Sequence, residues 1–436
     1  MVLSLWEGRL FSSQALTVHE GARVKLYGWV HSIRDLGKVC FFLLRDKEGI
    51  IQVVASASAL SPAAFNAVKE LKREYVVEVE GIVRRTEKAP GGVELHLEKL
   101  KVLNEANVPP HLEPDRRVKL ELDVRLDERM LDLRRLENQA LFRIGHVVLS
   151  SARRFLEERG FIEVHTPKLI ATATEGGAAL FPIAYFDREA FLAQSPQLYK
   201  EQLSAVFERV YEVGPLFRAE ESHTNRHLSE YVGVDVEAAF ADEEDVMQVL
   251  EGMVTFTVRE VVSRCGRELQ LLGRELEVPP TPYRRLTYSE AIDLLRERGI
   301  SIEWGHDLST EAERVLGRIF NEPFFIVDWP THLKPFYIMP REDDPKLSYS
   351  FDLMYGWLEI ASGGRRIHRK DQLIKRLEEQ GLNPENFKHH LKCYDYGMPP
   401  HAGWGLGLAR LLMIITGKDD IREVVLYPRD RWRLTP

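Results

Sequence analysis

At 436 residues the chain has room for two or three domains and a sizeable core, and its 44% apolar and 29% charged residues are ordinary for a soluble globular enzyme. Three cysteines, Cys40, Cys265 and Cys393, lie far apart with no CxxC pair, which argues against a zinc knuckle or a disulfide framework and fits a reducing cytoplasm. The start MVLSLWEGRL has no signal-peptide pattern, no run approaches a membrane span, and a net charge of −8 neither advertises nor excludes nucleic acid, because local basic patches set that footprint.

Residues 20–103 read as all-β. Val24 to Val30, Cys40 to Leu44, Ile50 to Val54, Tyr75 to Gly81 and Val93 to Val102 alternate, and Pro62 to Lys72 interrupts them as a short helix. Five strands and one helix are the make-up of an OB-fold barrel, a single-strand nucleic-acid reader, although composition alone supports only a small β-barrel. Strand parity turns one of the pair Phe41 and Phe42 outward. Residues 104–117, with three prolines, read as a linker, and the charged, leucine-bearing stretch after it runs on to Leu131–Arg134. Residues 138–159 carry helical spacing, Gly160 stops the helix, and 161–167 follows as a strand ended by Pro167. Residues 241–335 hold helical runs near 244–265, 289–298 and 311–320 and a buried strand at 326–330; they read as support, without a clear catalytic signal.

Three stretches carry chemistry. In FRAEESHTNRHLSEYVGVD (217–235) a strand leads through Gly214-Pro215, read as a turn, into a polar loop and a returning strand. Arg218, directly after the apolar strand, is placed inside a cleft, where its fork suits phosphate; a salt-bridged hairpin loop is the alternative. In SYSFDLMYGWLEIASGGRRIH (348–368), a two-residue turn at Gly356-Trp357 would pair Met354 with Glu359 and make Asp352 and Glu359 diagonal neighbours. They could be oxygen ligands for magnesium or a salt-bridged surface. GWGLGLARLLMIITG (403–417) runs from alternating glycines into an apolar helix whose one charge, Arg410, needs an anionic or aromatic partner.

FRAE followed by a loop and RH resembles motif 2 of the class II aminoacyl-tRNA synthetases, and the wording is most similar to the aspartyl and asparaginyl branch of archaeal type. The helix, Gly-Phe strand and Pro167 resemble motif 1, which implies a homodimer, and residues 403–417 resemble motif 3. The resemblance covers nearly all of the chain from about residue 20. It implies an α+β protein: an OB-fold anticodon-binding barrel at 1–103, a hinge at 104–136 with an LDLR signature, and a class II catalytic domain at 137–436 built on an antiparallel sheet flanked by helices.

The resemblance also implies site residues. Glu175, in a mobile loop, would face the substrate α-ammonium. Ser195, Gln197, Lys200, Asp235, Ser362 and Arg366 would bind aspartate, with Arg366 clamping its side chain and Asp235 ordering Arg366 and Lys200. A buried lysine suits a carboxylate and leaves an amide poorly paired, which favours aspartate over asparagine. Arg218, Glu220, Arg226, His227, Tyr231, Glu359, Gly407 and Arg410 would bind ATP, with Arg410 and Tyr231 sandwiching adenine and Arg218 on the α-phosphate. Asp352, Glu359 and Ser362 would hold Mg2+. Tyr231 stands where relatives often have phenylalanine, and Ala409 where they often have a polar or acidic residue; neither removes the stacking pair.

The implied reaction is attack of the aspartate α-carboxylate on ATP, then transfer of the aspartyl group to the tRNA 3′ end. A carboxylate needs no general base, so positioning and charge neutralisation supply the catalysis, with Arg218, Glu220 and Arg410 at its centre. In the barrel, Phe41, Gln52 and Glu94 match anticodon-reading positions. His31 and Pro90 stand where a tryptophan and a lysine accompany strict reading of tRNA-Asp. That resembles members that also aspartylate tRNA-Asn and hand the product to an amidotransferase; neutral loop variation is the other reading. A discriminating aspartyl enzyme, an asparaginyl enzyme, a catalytically silent nucleotide- or RNA-binding paralogue and a plain single-strand binder remain as alternatives.

Overall fold

Alternating apolar residues over residues 23–104 close a barrel. In the computed structural model, which describes residues 8–108, 120–171, 180–219 and 224–436, the chain falls into two units, Met1–Gln139 and Ala140–Pro436. In the first, strands Arg23–Asp35, Val39–Arg45, Ile50–Ser56, Val93–Asn104 and Val76–Arg85 neighbour one another in that order, and Arg23–Asp35 pairs back onto Val76–Arg85 to shut the barrel. Their inward positions, among them Leu26, Phe42, Val53, Val79 and Leu95, form a single core. The helix Pro62–Lys69, capped by the Ser61 side chain, sinks Phe65 and Val68 into it.

The expected linker is only partly one. Within its described residues lie helices Leu122–Asp127 and Arg129–Asp132, tied by Arg125, which donates to the buried Asp132 at 3.0 Å. Arg134, from the LDLR stretch, pairs with Glu74, which also takes both ends of the Arg45 guanidinium at 2.9 and 2.7 Å. Burial alone would push the Glu74 carboxyl up; the two arginines hold it below its usual value. The charged stretch read as part of the hinge is, in its described residues, helical and ion-paired, with Arg134 tied to Glu74.

The second unit is built on eight strands in the order Arg284–Thr287, Phe324–Val327, Ser350–Tyr355, Leu358–Arg365, His401–Gly407, Glu230–Ala239, Arg209–Phe217 and Ile162–Glu163. The middle is antiparallel, but both outermost pairings are parallel, so the sheet is mixed rather than purely antiparallel. Gly214-Pro215 does not turn the chain: the strand runs straight through to Phe217. Ile162–Glu163 covers only Val210 and Tyr211, so Pro215 sits on an open edge where its missing N–H is not needed. Helices Leu136–Glu157 and Glu243–Arg264 supply Leu141, Ile144, Val148, Leu250, Val254 and Val258 to the core that includes Trp404 from the sheet. Gly403 is a close-approach glycine: a Cβ there would fall 2.2 Å from the Val236 carbonyl and 2.3 Å from a Glu237 carboxylate oxygen.

Candidate active site

The central strands line a cavity of about 300 Å³. Residues expected to act together converge on it: Ser195, Gln197 and Lys200 from the start of helix Gln197–Phe207, Arg218, Arg226, His227, Tyr231 and Asp235 from the hairpin, Glu359, Ser362 and Arg366 from the next strand and its end, and Gly407 and Arg410 from the last strand and the helix Leu408–Thr416. Glu175 and Glu220 lie outside the described residues.

One wall is a buried ionic lattice. The Lys200 ammonium, 2% exposed, donates to Asp235 at 3.0 Å and to the Trp404 carbonyl at 3.1 Å, with Glu237 at 3.5 Å. Arg366 is also buried; its Nε donates to Glu237 at 3.0 Å and its guanidinium lies 5.3 Å from the Tyr337 ring. The carboxylate that orders Arg366 is thus Glu237, not the expected Asp235. Strand parity hid it: Asp235 and Glu237 share one face of Glu230–Ala239, two residues apart.

Beneath this wall sits Glu201, fully buried. Gln197 donates to it at 2.6 Å and the Tyr394 hydroxyl at 3.0 Å, with His390 Nε2 at 3.2 Å and His401 Nε2 at 3.8 Å. Burial would raise the Glu201 carboxyl, but His390 and His401 hold it well below the usual range. Burial would lower the His401 imidazole, yet the hydrogen bond and charge of Glu201 raise it. The same group reaches back to the cavity, because the Arg366 amide donates to the His401 carbonyl at 2.9 Å.

The opposite set is less closely paired. The register pairs Met354 with Glu359 as expected, and an irregularity between Leu353 and Met354 leaves Asp352 opposite Ser362. Asp352 is not among the residues lining the cavity; it stands behind Lys334, which lines the cavity and donates to it at 2.7 Å. The other Asp352 oxygen is buried with no hydrogen-bond partner. Burial first, and then the Asp352 charge, push the Glu359 carboxyl up to about 7, against Arg410 and Lys334. Arg410 donates to the Glu359 carbonyl at 2.8 Å and stands 3.8 Å from its carboxylate. Arg218 lies 5.8 Å from the Tyr231 ring, and His227 is within 2.6 Å of the Thr224 hydroxyl. Arg226, expected on outer phosphates, is paired with Glu313 and donates to Thr310 at 2.6 Å. Glu313 and Lys334 come from the stretch read as mere support, where a single charge among helical or loop residues carries no motif.

On the barrel, Phe42 is buried and Phe41 half-exposed, which settles the parity. Leu43, Gln52 and Glu94 are adjacent across three strands, with Gln52 donating to Glu94 at 2.9 Å. His31 lies at a strand irregularity, its Nδ1 3.3 Å from Arg45, and Pro90 opens the exposed turn Pro90–Gly92.

Eight strands around a polar cavity, preceded by a closed five-stranded barrel, define a two-part architecture that matches known models. Residues 121–431 match tRNA synthetases class II (D, K and N), and residues 24–103 match an OB-fold nucleic acid binding domain. The chain belongs to the class II tRNA synthetases of the D, K and N group. It is 54% identical, over 98% of its length and 99% of the relative's, to the aspartate--tRNA(Asp/Asn) ligase of Methanopyrus kandleri. With the enzyme of the same name from Archaeoglobus fulgidus it shares 52% identity over 98% and 100% of the two chains. A solved asparaginyl-tRNA synthetase from Pyrococcus horikoshii, complexed with asparaginyl-adenylate, superimposes with a TM-score of 0.93 at 36% identity, covering 98% of this chain and 99% of that one.

Proposed function

We propose that the chain attaches L-aspartate to tRNA through an aspartyl-adenylate made from ATP, and that it serves both tRNA-Asp and tRNA-Asn. The observation that carries the amino-acid assignment is the pair of buried cations, Lys200 and Arg366, on one cavity wall. A ligand carboxylate can take charge-assisted hydrogen bonds from them, whereas an amide would leave cationic donors poorly paired. Ser195 and Gln197 flank that wall, and Asp235 and Ser362 complete it. The relaxed tRNA choice is supported by His31 and Pro90 and by the names that the archaeal relatives carry.

ATP occupies the other side in this reading. Arg218 neutralises the α-phosphate as charge builds there, Arg226 swings from Glu313 to the outer phosphates beside His227, and Tyr231 and Arg410 close on adenine above Gly407. Asp352 and Glu359 fit a hard cation: one Asp352 oxygen is buried without a partner, and their crowding raises Glu359. With Ser362 they would hold Mg2+, which supplies charge neutralisation on the phosphates. Glu175 and Glu220 keep their proposed contacts to the α-ammonium and to ATP or the tRNA end.

The barrel reads the anticodon with Phe41, Gln52 and Glu94. A homodimer fits the apolar surface at Val206, Phe207 and Phe240, exposed by 68%, 45% and 72% and brought together where the Ala239 amide donates to the Glu208 carbonyl. Aspartyl-tRNA-Asn would pass to an amidotransferase, and the reaction belongs to the cytoplasm.

The test is aminoacylation with labelled aspartate and labelled asparagine, each offered tRNA-Asp and tRNA-Asn. Aspartate on both tRNAs is expected. Aspartate on tRNA-Asp alone overturns the relaxed choice, and asparagine charging overturns the pocket assignment. Arg218→Ala is expected to cost about 2.7–4 kcal/mol in aspartate-dependent ATP–pyrophosphate exchange. Phe41→Ala should weaken anticodon-arm binding by about 1–3 kcal/mol and leave that exchange unchanged.

A further inference from the structure

The cavity encloses the two small substrates, but nothing so far receives the third, which is a single-stranded RNA end. The segment after the last short helical turn has the chemistry for it. Residues 429–436 read RDRWRLTP, three arginines against one aspartate around a tryptophan. The segment is fastened to the hairpin that lines the cavity: the Ser229 amide donates to the Arg429 carbonyl at 2.8 Å, and Arg429 bridges antiparallel to Glu230, next to Tyr231. It is also held in shape internally. Asp430 accepts from the amides of Trp432 and Arg433, both at 2.8 Å, and the Arg429 guanidinium donates to the Pro436 carbonyl at 2.8 Å.

This fixed turn presents its largest apolar surface outward. Trp432 is 73% exposed, with the Arg431 guanidinium 5.1 Å from its ring. A tryptophan held in a rigid turn and left in water contributes nothing to the core. An indole face flanked by guanidinium groups is a platform on which a nucleobase stacks while the adjoining phosphates are neutralised.

We propose that residues 429–436 are a docking platform for the single-stranded 3′ end of the tRNA, with Trp432 as the stacking face and Arg431 and Arg433 as phosphate contacts. The platform rests on the tRNA-charging reading above and adds a surface to it. Its place at the loop end of the hairpin that carries Tyr231 and Asp235 lets a strand stacked there lead into the cavity where the adenylate forms.

The probe is an acceptor-arm RNA hairpin with a single-stranded 3′ end and no anticodon, so the barrel's contribution is removed. Trp432→Ala should weaken its binding to the full-length protein on the order of tenfold, and Trp432→Phe should restore most of it. Arg431→Gln should lower the slope of log Kd against log salt by about 0.7. Aspartate-dependent ATP–pyrophosphate exchange should stay at the wild-type level in all three, and a blunt hairpin should erase the difference between wild type and Trp432→Ala. Unchanged binding by Trp432→Ala overturns the proposal, as does an equal loss on the blunt hairpin. Lost exchange would make the turn a structural support, and a changed oligomeric state on sedimentation would make a second copy its occupant. Wild-type protein that binds the hairpin but forms no aspartyl-adenylate would sink the charging reading and leave the platform standing.

Discussion

Two groups of charge face each other across the cavity, and they are built on opposite principles. On one wall every ion has a counter-ion in place: Lys200 with Asp235, Arg366 with Glu237, and Glu201 within a cluster of His390, His401 and Tyr394. On the other, Asp352 and Glu359 repel each other, and among the described residues Lys334 and Arg410 offset them. Pairing in place means the first wall keeps its geometry without a ligand and spends little on reorganising when one binds. On the second wall burial and the neighbouring Asp352 charge still leave the Glu359 carboxyl raised, so in the proposed reading that wall is completed by what it binds. The proposed substrates divide accordingly: an amino acid to be selected against a near-isostere, and a nucleotide that brings its own cation.

The largest effect should come from breaking the paired wall. Glu237→Gln keeps the shape but strips the counter-charge from Arg366 and from one side of Lys200. Leaving buried cations uncompensated is expected to cost about 3–5 kcal/mol of unfolding free energy, read by urea denaturation. If Glu237→Gln is as stable as wild type, the wall is not a preorganised lattice.

Asp352→Asn should cost the fold less. Removing one of two crowded acids relieves Glu359, returning its carboxyl toward the ordinary value, and this gain offsets part of the cost of the lost Lys334 pair, so metal-free stability should fall by less than in Glu237→Gln. The same change should lower Mg2+-dependent ATP–pyrophosphate exchange by about 10²-fold or more, by analogy with losing one electrostatic stabiliser of a transition state. A small stability loss beside a large loss of exchange would separate a binding carboxylate from a structural one.

How legible this contrast was in the sequence depends on what carries each part. The barrel strands could be read from alternation, and Met354 opposite Glu359 from a two-residue turn, because both are local. Arg218 and Arg410 stood out as charges against apolar sequence, and Lys200 through the resemblance to the aspartyl branch. Glu201, Glu237, Glu313 and Lys334 did not, since each acts through a partner far away in sequence: Lys334 on Asp352, Glu313 on Arg226. Pro215 misled because a proline stops a central strand but not an edge one.

The pH dependence sharpens the comparison with a smaller effect. Glu359, raised to about 7, must shed its proton before a cation can bind. Mg2+-dependent exchange should therefore fall about tenfold for each pH unit below about 7. The stability sign is opposite: a carboxyl raised in the fold stabilises fully below its ordinary value and loses that contribution as pH rises to about 7. Metal-free protein should gain stability from this group at pH 5 relative to pH 8, and added Mg2+ should stabilise at pH 8 only. Equal Mg2+ stabilisation at both pH values would mean that Glu359 is not a ligand.

The smallest effect is expected at Glu201, which among the described residues reaches the cavity through Gln197 and the His401 main chain. Its carboxyl is depressed, so its stabilisation is present above the ordinary carboxylate value and lost as pH falls through the lower value in the fold. Glu201→Gln keeps a hydrogen-bonding side chain but drops the charge that raises the His401 imidazole. A loss of about 1 kcal/mol, or roughly fivefold in KM for aspartate, should follow. The value of kcat should not change, because no atom of Glu201 faces the ATP side. A fall in kcat with KM unchanged would put Glu201 in the chemistry rather than beneath it. An unchanged KM with a lost acid limb of the stability profile would reduce it to a buried ion pair that the substrate wall does not need.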